Sequence, residues 1–248
     1  MDRLIYTAMN GAQRILEQQS AITNNLANVN TSGFREQLAI YRSVPVESPD
    51  TRTTRVATVA ATPGSSFEAG AMAETGHALD VAIRGEGWFA VRTSQGEAYT
   101  RAGDLAVNAD NLLVTQAGLP VLSLDGAEIQ IPNQGTVTFS SDGQITALGA
   151  GDNPRDIQVV AQLKLVNPPT GDLRRGDDGL FRLAQGGAAQ ADPSVSMVSG
   201  FIEKSNVNPA EAMVGMIANA RRFEMQMKVI QDANTNEERA NSILSFNS

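Results

Sequence analysis

The sequence predicts a mixed, mainly β fold: an antiparallel β domain inserted between long N- and C-terminal α-helices that pair as a coiled coil. Three observations carry this. A 3-4 repeat, apolar apart from Gln19, runs through Ile5, Ala8, Ala12, Ile15, Gln19, Ile22, Leu26 and Val29. The same spacing returns at the other end in Met213, Met216, Ala220, Phe223, Met227 and Ile230. A helix with one such stripe must bury it, and the natural partner for each end is the other end. Between them, from about residue 52 to 203, the texture changes to short Val, Ile, Leu and Thr runs broken by Gly, Asp and Asn, which is the pattern of strands and turns.

The elements follow in order. Asp2 is a suitable N-cap and only Gly11 interrupts the helical run after it, so the first helix is expected to reach about residue 30, a rod of roughly 42 Å at 1.5 Å per residue. The cluster Asn30-Thr31-Ser32-Gly33 stops it, with Gly33 supplying the left-handed backbone that ends helices. This gives a rod-core helix over 1–32. Phe34, Leu38 and Tyr41 show a second, short helical period closed by Pro45 and Pro49, so a connecting subdomain of short helix and β-hairpin is expected over 33–78. Strand-length runs at 79–83, 88–91, 112–114, 129–131, 137–139 and 163–166 place the β domain over 79–190. Within it, Ser140-Ser141-Asp142-Gly143 is the clearest hairpin turn. A return strand and linker occupy 191–207. Asn208 as N-cap, Pro209 at the first helical position and Glu211 in the first turn then open a rod-core helix over 208–248. Its seam weakens after Ile230, where Asn234, Glu237 and Asn241 take heptad positions, unless the packing shifts onto Ala233, Ala240 and Leu244.

Composition narrows the function classes. The 248 residues are 42% hydrophobic and 19% charged, enough for one large or two small cores. The net charge is −8. Residues 1–32 carry two acids and two bases and residues 205–248 five acids and four bases, so −7 of that charge sits in 33–204. The near-neutral ends suit surfaces that meet other protein, and no basic run exists to neutralise phosphates, so no nucleic acid is expected. Cysteine is absent, which removes disulfides and thiolate chemistry together. The opening residues lack the apolar core and small-residue cleavage site of a secretion signal, and no stretch approaches a membrane span.

No catalytic, metal or cofactor-binding residues are expected, and no small-molecule substrate. His77 is a lone histidine in a loop sequence, Gly85-Glu86-Gly87 reads as a turn between strands, and Asp177-Asp178 and Glu237-Glu238 have nothing to drive their proton affinities apart. The amides Gln13, Gln18, Gln19, Asn24, Asn25, Asn28, Asn219 and Gln226 suit helix faces buried among other helices. Asn25, Asn28 and Asn30 are read either as a capping cluster or as contacts between subunits that fix register.

Four ordered blocks carry a family resemblance. Asn25-Leu26-Ala27-Asn28-Val29-Asn30-Thr31-Ser32-Gly33-Phe34 resembles the N-terminal signature of the bacterial flagellar rod and hook family, through Asn25, Leu26, Ala27, Asn28, Thr31, Gly33 and Phe34. Leu79-Asp80-Val81-Ala82-Ile83-Arg84-Gly85-Glu86-Gly87-Trp88-Phe89 looks like its strand pair, with Trp88 where Phe is usual. Tyr99-Thr100-Arg101-Ala102-Gly103 and Leu112-Leu113-Val114-Thr115 look like its meander, and Ser205-Asn206-Val207-Asn208 with Arg221-Arg222-Phe223-Glu224 like its C-terminal helix. Both ends of the chain are most similar to proximal-rod members, with distal-rod or hook members the alternative. The resemblance implies an axial structural subunit, not an enzyme, that is exported uncleaved by the flagellar type III apparatus and polymerises in a rod spanning the periplasm. Its partners would be copies of itself and other proximal and distal rod proteins, without membrane insertion. In that setting the two seams are the expected assembly interface. An exported binding module that dimerises through its helices is the reading from another class, and its 5% aromatic content offers little for a ligand site.

Overall fold

The computed structural model describes residues 2–39, 41–45, 56–60, 64–132, 136–148 and 158–245. The chain divides into two compact units, one made of Met1–Asn28, Glu36–Ser66 and Val207–Ser248, the other of Val29–Arg35 and Phe67–Asn206.

Two helices dominate the first unit, α1 over Asp2–Ala27 and α2 over Pro209–Ser245. The start of α2 follows its sequence: Asn208 Oδ1 accepts the backbone N–H groups of Ala210 at 3.1 Å and Glu211 at 3.4 Å, and Pro209 sits where no N–H is needed. The end of α1 comes earlier than its composition suggests. Asn28 Nδ2 donates to the Asn24 carbonyl at 2.9 Å, satisfying a terminal acceptor by side chain. Gly33 does adopt left-handed backbone, φ 66°, but six residues beyond the helix, so it shapes the next turn and does not terminate α1.

The expected short helix in 34–44 does not form. Strands β1 (Gln37–Leu38) and β2 (Tyr41–Pro45) lie here instead, and the later β3 (Val56–Ala60) and β4 (Gly64–Ser65) pair with them, β1 with β4 and β2 with β3, both antiparallel. Three apolar residues at helical spacing are too short a signal, and the Tyr and Val of this stretch favour an extended ladder once a partner strand is available.

The second unit is all β. Its strands are β5 (Met72–Glu74), β6 (Val81–Arg84), β7 (Trp88–Thr93), β8 (Gly96–Thr100), β9 (Leu105–Val107), β10 (Leu113–Thr115), β11 (Thr136–Phe139), β12 (Gln144–Leu148), β13 (Gln158–Gln162), β14 (Leu165–Val166), β15 (Leu173–Arg175), β16 (Phe181–Leu183), β17 (Ser196–Ser199) and β18 (Phe201–Glu203). The largest sheet has the order β14-β7-β8-β16-β15, β11-β12-β13 form a second, and the returning strands pair as β17-β6 and β18-β5. The Asp142-Gly143 turn joins β11 to β12 as the sequence requires: Gly143 has φ 83° and its N–H donates to the Ser140 carbonyl at 3.1 Å.

Strand β7 explains how one unit holds two cores. Its first four residues are all buried, and alternate side chains go to opposite faces. Phe89 and Val91 join Val81, Leu113, Ile129, Ile145, Leu163 and Met197. Trp88 and Ala90 join Tyr99, Leu122, Val166, Leu173 and Phe181, with Phe67 packed edge-on to Trp88 at 6.1 Å. A strand covered on both faces reads as the unbroken apolar run seen in Trp88-Phe89-Ala90-Val91.

Burial gives Tyr99 a measurable signature. The phenol is fully buried and its oxygen accepts the Ala189 N–H at 2.7 Å. Burial pushes its pKa up from 10.0 to about 12, with the Ala189 hydrogen bond opposing and the nearby Glu97 charge adding to the rise. The folded unit therefore favours the neutral phenol. The corresponding stability is fully present below pH 10 and is lost as pH rises from 10 through about 12. In an ultraviolet titration one tyrosine should ionise near 12 and coincide with alkaline unfolding, and a Tyr99→Phe variant should lack that step. Ionisation of all three tyrosines near 10 in folded protein would contradict the assignment.

Candidate assembly interface

Within the first unit α1 and α2 pack against each other as an antiparallel pair. A Cβ placed on Gly11 would stand 3.3 Å from Gln226 Nε2, and one on Gly215 would stand 3.4 Å from Ile22 Cδ1. Eleven residues forward along α1 are thus eleven back along α2. Followed to its start, this register sets Asp2 level with Thr235, so about ten residues of α2 run on beyond α1, roughly 15 Å.

The expected N-terminal stripe lies on the covered side of α1: Ala8 and Ala12 are buried, and Ile5, Ile15, Gln19, Ile22 and Leu26 are half-buried. Val29 lies past the helix end in the second unit, half-buried there. The C-terminal stripe divides. Met216, Phe223 and Ile230 are half-buried, whereas Met213, Ala220 and Met227 are exposed. The covered side of α2 instead runs Ala212, Met216, Asn219, Phe223, Gln226, Ile230, Ala233 and Glu237, an unbroken 4-3 alternation. Periodicity weighted by apolarity preferred Met over Asn and Gln. The covered face is rotated by one residue from the expected one, taking Ala212, Asn219 and Gln226 in place of Met213, Ala220 and Met227, while Met216, Phe223 and Ile230 belong to both. After Ile230 the covered side continues through Ala233 and Glu237 while Asn234 turns outward; the side chains of Ala240, Asn241 and Leu244 lie outside the described residues.

Outside these stripes both helices keep large apolar side chains in solvent. On α1 these are Tyr6, Met9 and Leu16. On α2 they include Val214 at 67% exposure, Ile217 at 58%, Met225 at 61% and Val229, and a shallow groove lies among Val214, Ile217, Ala218, Arg221, Arg222 and Met225.

The N-terminal motif is shared between the two units. In the first, Asn25 is buried and neither caps its own helix nor faces outward: its Nδ2 donates to the Gln37 carbonyl at 2.9 Å and its Oδ1 accepts the Gln37 N–H at 2.8 Å, imitating a strand partner for β1. Leu26 and Asn28 are half-buried and Ala27 is exposed. In the second unit Thr31 is exposed, Phe34 is half-buried under the Arg175 guanidinium 4.5 Å from its ring, and Gly33 is buried with its N–H donating to the Glu203 carbonyl at 2.8 Å. A Cβ on Gly33 would fall 2.2 Å from the Arg101 carbonyl carbon, so close approach as well as positive φ demands glycine.

Three charged residues to which the sequence reading gave no role, Arg35 and Arg101 of the family blocks and Glu203, meet here. Arg35 and Glu203 are each 1% exposed and Arg101 is 5% exposed. Glu203 Oε1 lies 2.6 Å from Arg35 Nη1 and accepts the Gly70 N–H at 2.9 Å, while Oε2 accepts from Arg101 Nη1 at 3.1 Å. Arg101 also donates to the carbonyls of Ile83 and Gly85. Arg35 is held differently. Its contact with Glu203 is close but poorly directed, so charge attraction and the Trp88 ring, 5.9 Å away, hold it more than hydrogen bonds do. Burial lowers the Arg101 proton affinity, the Glu203 charge raises it again, and the Arg35 charge lowers it. One carboxylate thus ties together the N-terminal motif, the loop that leaves β8 and the return strand β18. The available signal was a charge inside an otherwise apolar or tight run, as in Tyr99-Thr100-Arg101 and Phe201-Ile202-Glu203.

Comparisons with known proteins agree along the whole chain. Residues 5–35 match the flagella basal body rod protein family, 82–147 the flagellar hook protein FlgE/F/G D1 domain, and 198–243 the flagellar basal body rod FlgEFG protein C-terminal family. The chain is 45% identical to the flagellar basal-body rod protein FlgF of Salmonella typhimurium over 253 aligned positions, covering 99% of this chain and all of the relative. The chain belongs to the FlgF family of flagellar basal-body rod proteins. The FlgF protein of Escherichia coli is equally similar, 45% over the same coverage, and the FlgG protein of Bacillus subtilis is 29% identical over 93% of this chain and 94% of its own. In FlgF-family terms the first matched stretch runs from α1 to Arg35 and the last contains β18 and nearly all of α2. Arg35 and Glu203, which clasp each other inside the second unit, therefore lie in the stretches matched by two different family models.

Proposed function

We propose that this chain is a structural subunit of the flagellar basal-body rod, in its proximal part, which polymerises through α1 and α2 with copies of itself and other rod proteins and transmits torque as part of the drive shaft. One observation carries the reading: α2 is apolar all round near its start. Between Ala212 and Ala220 it has no charged residue, and beside the stripe that covers α1 it exposes Met213, Val214 and Ile217. A helix apolar on every side is one that ends up surrounded. α1 adds Tyr6, Met9 and Leu16 on its uncovered side. Both expected seams then contribute, Met216, Phe223 and Ile230 within the chain and Met213, Ala220 and Met227 towards neighbours, with α1 and α2 pairing in coiled-coil fashion.

Rigidity follows from such packing, because helix cores are nearly as dense as organic crystals and repack in discrete steps, not by continuous deformation. Export through the flagellar type III apparatus without cleavage and a position across the periplasm complete the proposal. Isolated hook–basal bodies from a strain carrying a tagged copy test it: the protein should be present, and antibody gold should label the end of the rod nearest the inner membrane. Basal bodies complete without it would end the proposal, and label at the hook end would move it to the distal alternative.

A further inference from the structure

Two amide side chains on the facing sides of α1 and α2 each hold one buried atom with no hydrogen-bond partner among the described residues, and the two atoms are complementary. Asn219 is 2% exposed, and its Nδ2, a donor, has no hydrogen bond among the described residues. Gln19 Oε1, an acceptor, is likewise buried and unbonded. Their positions are linked by the helix register. Ile22 meets Gly215; three residues back along α1 is Gln19, and four residues on along α2 is Asn219. Spacings of three and four keep each on the same face as its neighbour, so both amides stand at one level on the covered sides.

We infer that Asn219 and Gln19 form an interhelical amide pair that fixes the register of α1 against α2. A rotation about the terminal torsion of either side chain, which is soft, brings donor to acceptor. Two close approaches bracket the pair, Gly215 receiving Ile22 on one side and Gly11 receiving the Gln226 carboxamide on the other. A slip of one heptad would set Asn219 level with Gly11 and Ala12, or near Asn25, whose carboxamide is already taken by Gln37. In the first slip the donor would face only apolar groups; in the second it would meet an amide already fully used. Both are disfavoured because an unpaired buried polar group costs more than a made bond gains. The 3-4 apolar pattern alone tolerates such slips, as heptads do, and a single buried polar position is the known way of forbidding them. In a polymer, where other helices of the same kind lie alongside, the pair would also mark which α2 belongs to which α1. That last consequence rests on the rod reading; the pairing itself does not.

The test uses the purified full chain. Asn219→Leu and Gln19→Leu should each lower the helix melting midpoint by about 2–4 °C, and the double change should return it to within about 1 °C of the parent, because both orphaned groups are then gone. The exchange pair Asn219→Gln with Gln19→Asn, which keeps an amide on each helix, should retain the parental midpoint. Disulfide trapping reads register directly. Cysteines at positions 11 and 226 should link in the parent, and cysteines at 11 and 233, one heptad away, should link at least about fivefold more in the double leucine background than in the parent, as loss of about 1 kcal/mol of discrimination allows. Additive midpoint losses in the double variant, or a slipped pair as rare there as in the parent, would overturn the inference. Motility of the same variants reports separately on the rod reading, since a chain with no role in the rod would still show coupled midpoints.

Discussion

Glu203→Ala is expected to destabilise the β unit by about 3–5 kcal/mol, the usual consequence of removing one partner from a buried ion cluster. The substitution leaves Arg35 and Arg101 buried with no counter-charge, strips the Gly70 N–H of its acceptor, and loosens the point where the N-terminal motif meets β18. For an ordinary domain, stable by about 5–15 kcal/mol, that is about a fifth or more of the total. The comparison that isolates the effect is Asp178→Asn, which breaks the partly exposed pair with Arg182 and should cost no more than about 1 kcal/mol. Denaturant unfolding followed by the fluorescence of Trp88, the single tryptophan and a neighbour of both arginines, reports the unit directly. Equal midpoints for the two variants would show that the cluster is not what holds this region.

Ile217→Glu and Met225→Glu are expected to leave the monomer as stable as the parent, within about 0.5 kcal/mol, and to abolish assembly. In the monomer both side chains face solvent, and a glutamate there is a good helix former. In the rod each would place an unpaired carboxylate against apolar neighbours, at a cost of several kcal/mol per copy, or association weaker by at least a hundredfold. Swimming halos of a deletion strain complemented with each variant, together with the melting curve of each purified protein, separate the two effects. Normal halos from both variants would mean that this face of α2 touches nothing in the assembly. Glu224→Gln, a change of charge on an exposed residue, serves as the control and should swim.

Much of this was legible in the chain because it depends on local rules. The N-cap of α2 was written in Asn208-Pro209, the hairpin in Asp142-Gly143, and the covered face of α1 in a run of mostly apolar residues at helical spacing. What failed did so where distant partners intervene. Residues 34–44 show a weak helical period, yet paired strands formed there because β3 and β4 supply a ladder that spacing within eleven residues does not reveal. Asn25 looked like a cap or a contact between subunits and is instead spent on the backbone of Gln37.

By itself the sequence determined the order of elements, the two terminal helices, the β insertion and the family, because periodicity, turn chemistry and family motifs are properties of neighbouring residues. Tertiary structure alone decided which face of α2 is covered and which charges are buried. Met213, Ala220 and Met227 scored as the seam on apolarity, but the helix is turned so that Ala212, Asn219 and Gln226 face α1 instead, with Gly215 at a close approach to Ile22. Arg35, Arg101 and Glu203 are far apart in the chain and unremarkable one by one. Only the folding of β18 beside the Gly33–Arg35 turn brings them within ion-pair distance, in an interior where one shared carboxylate balances two guanidinium groups.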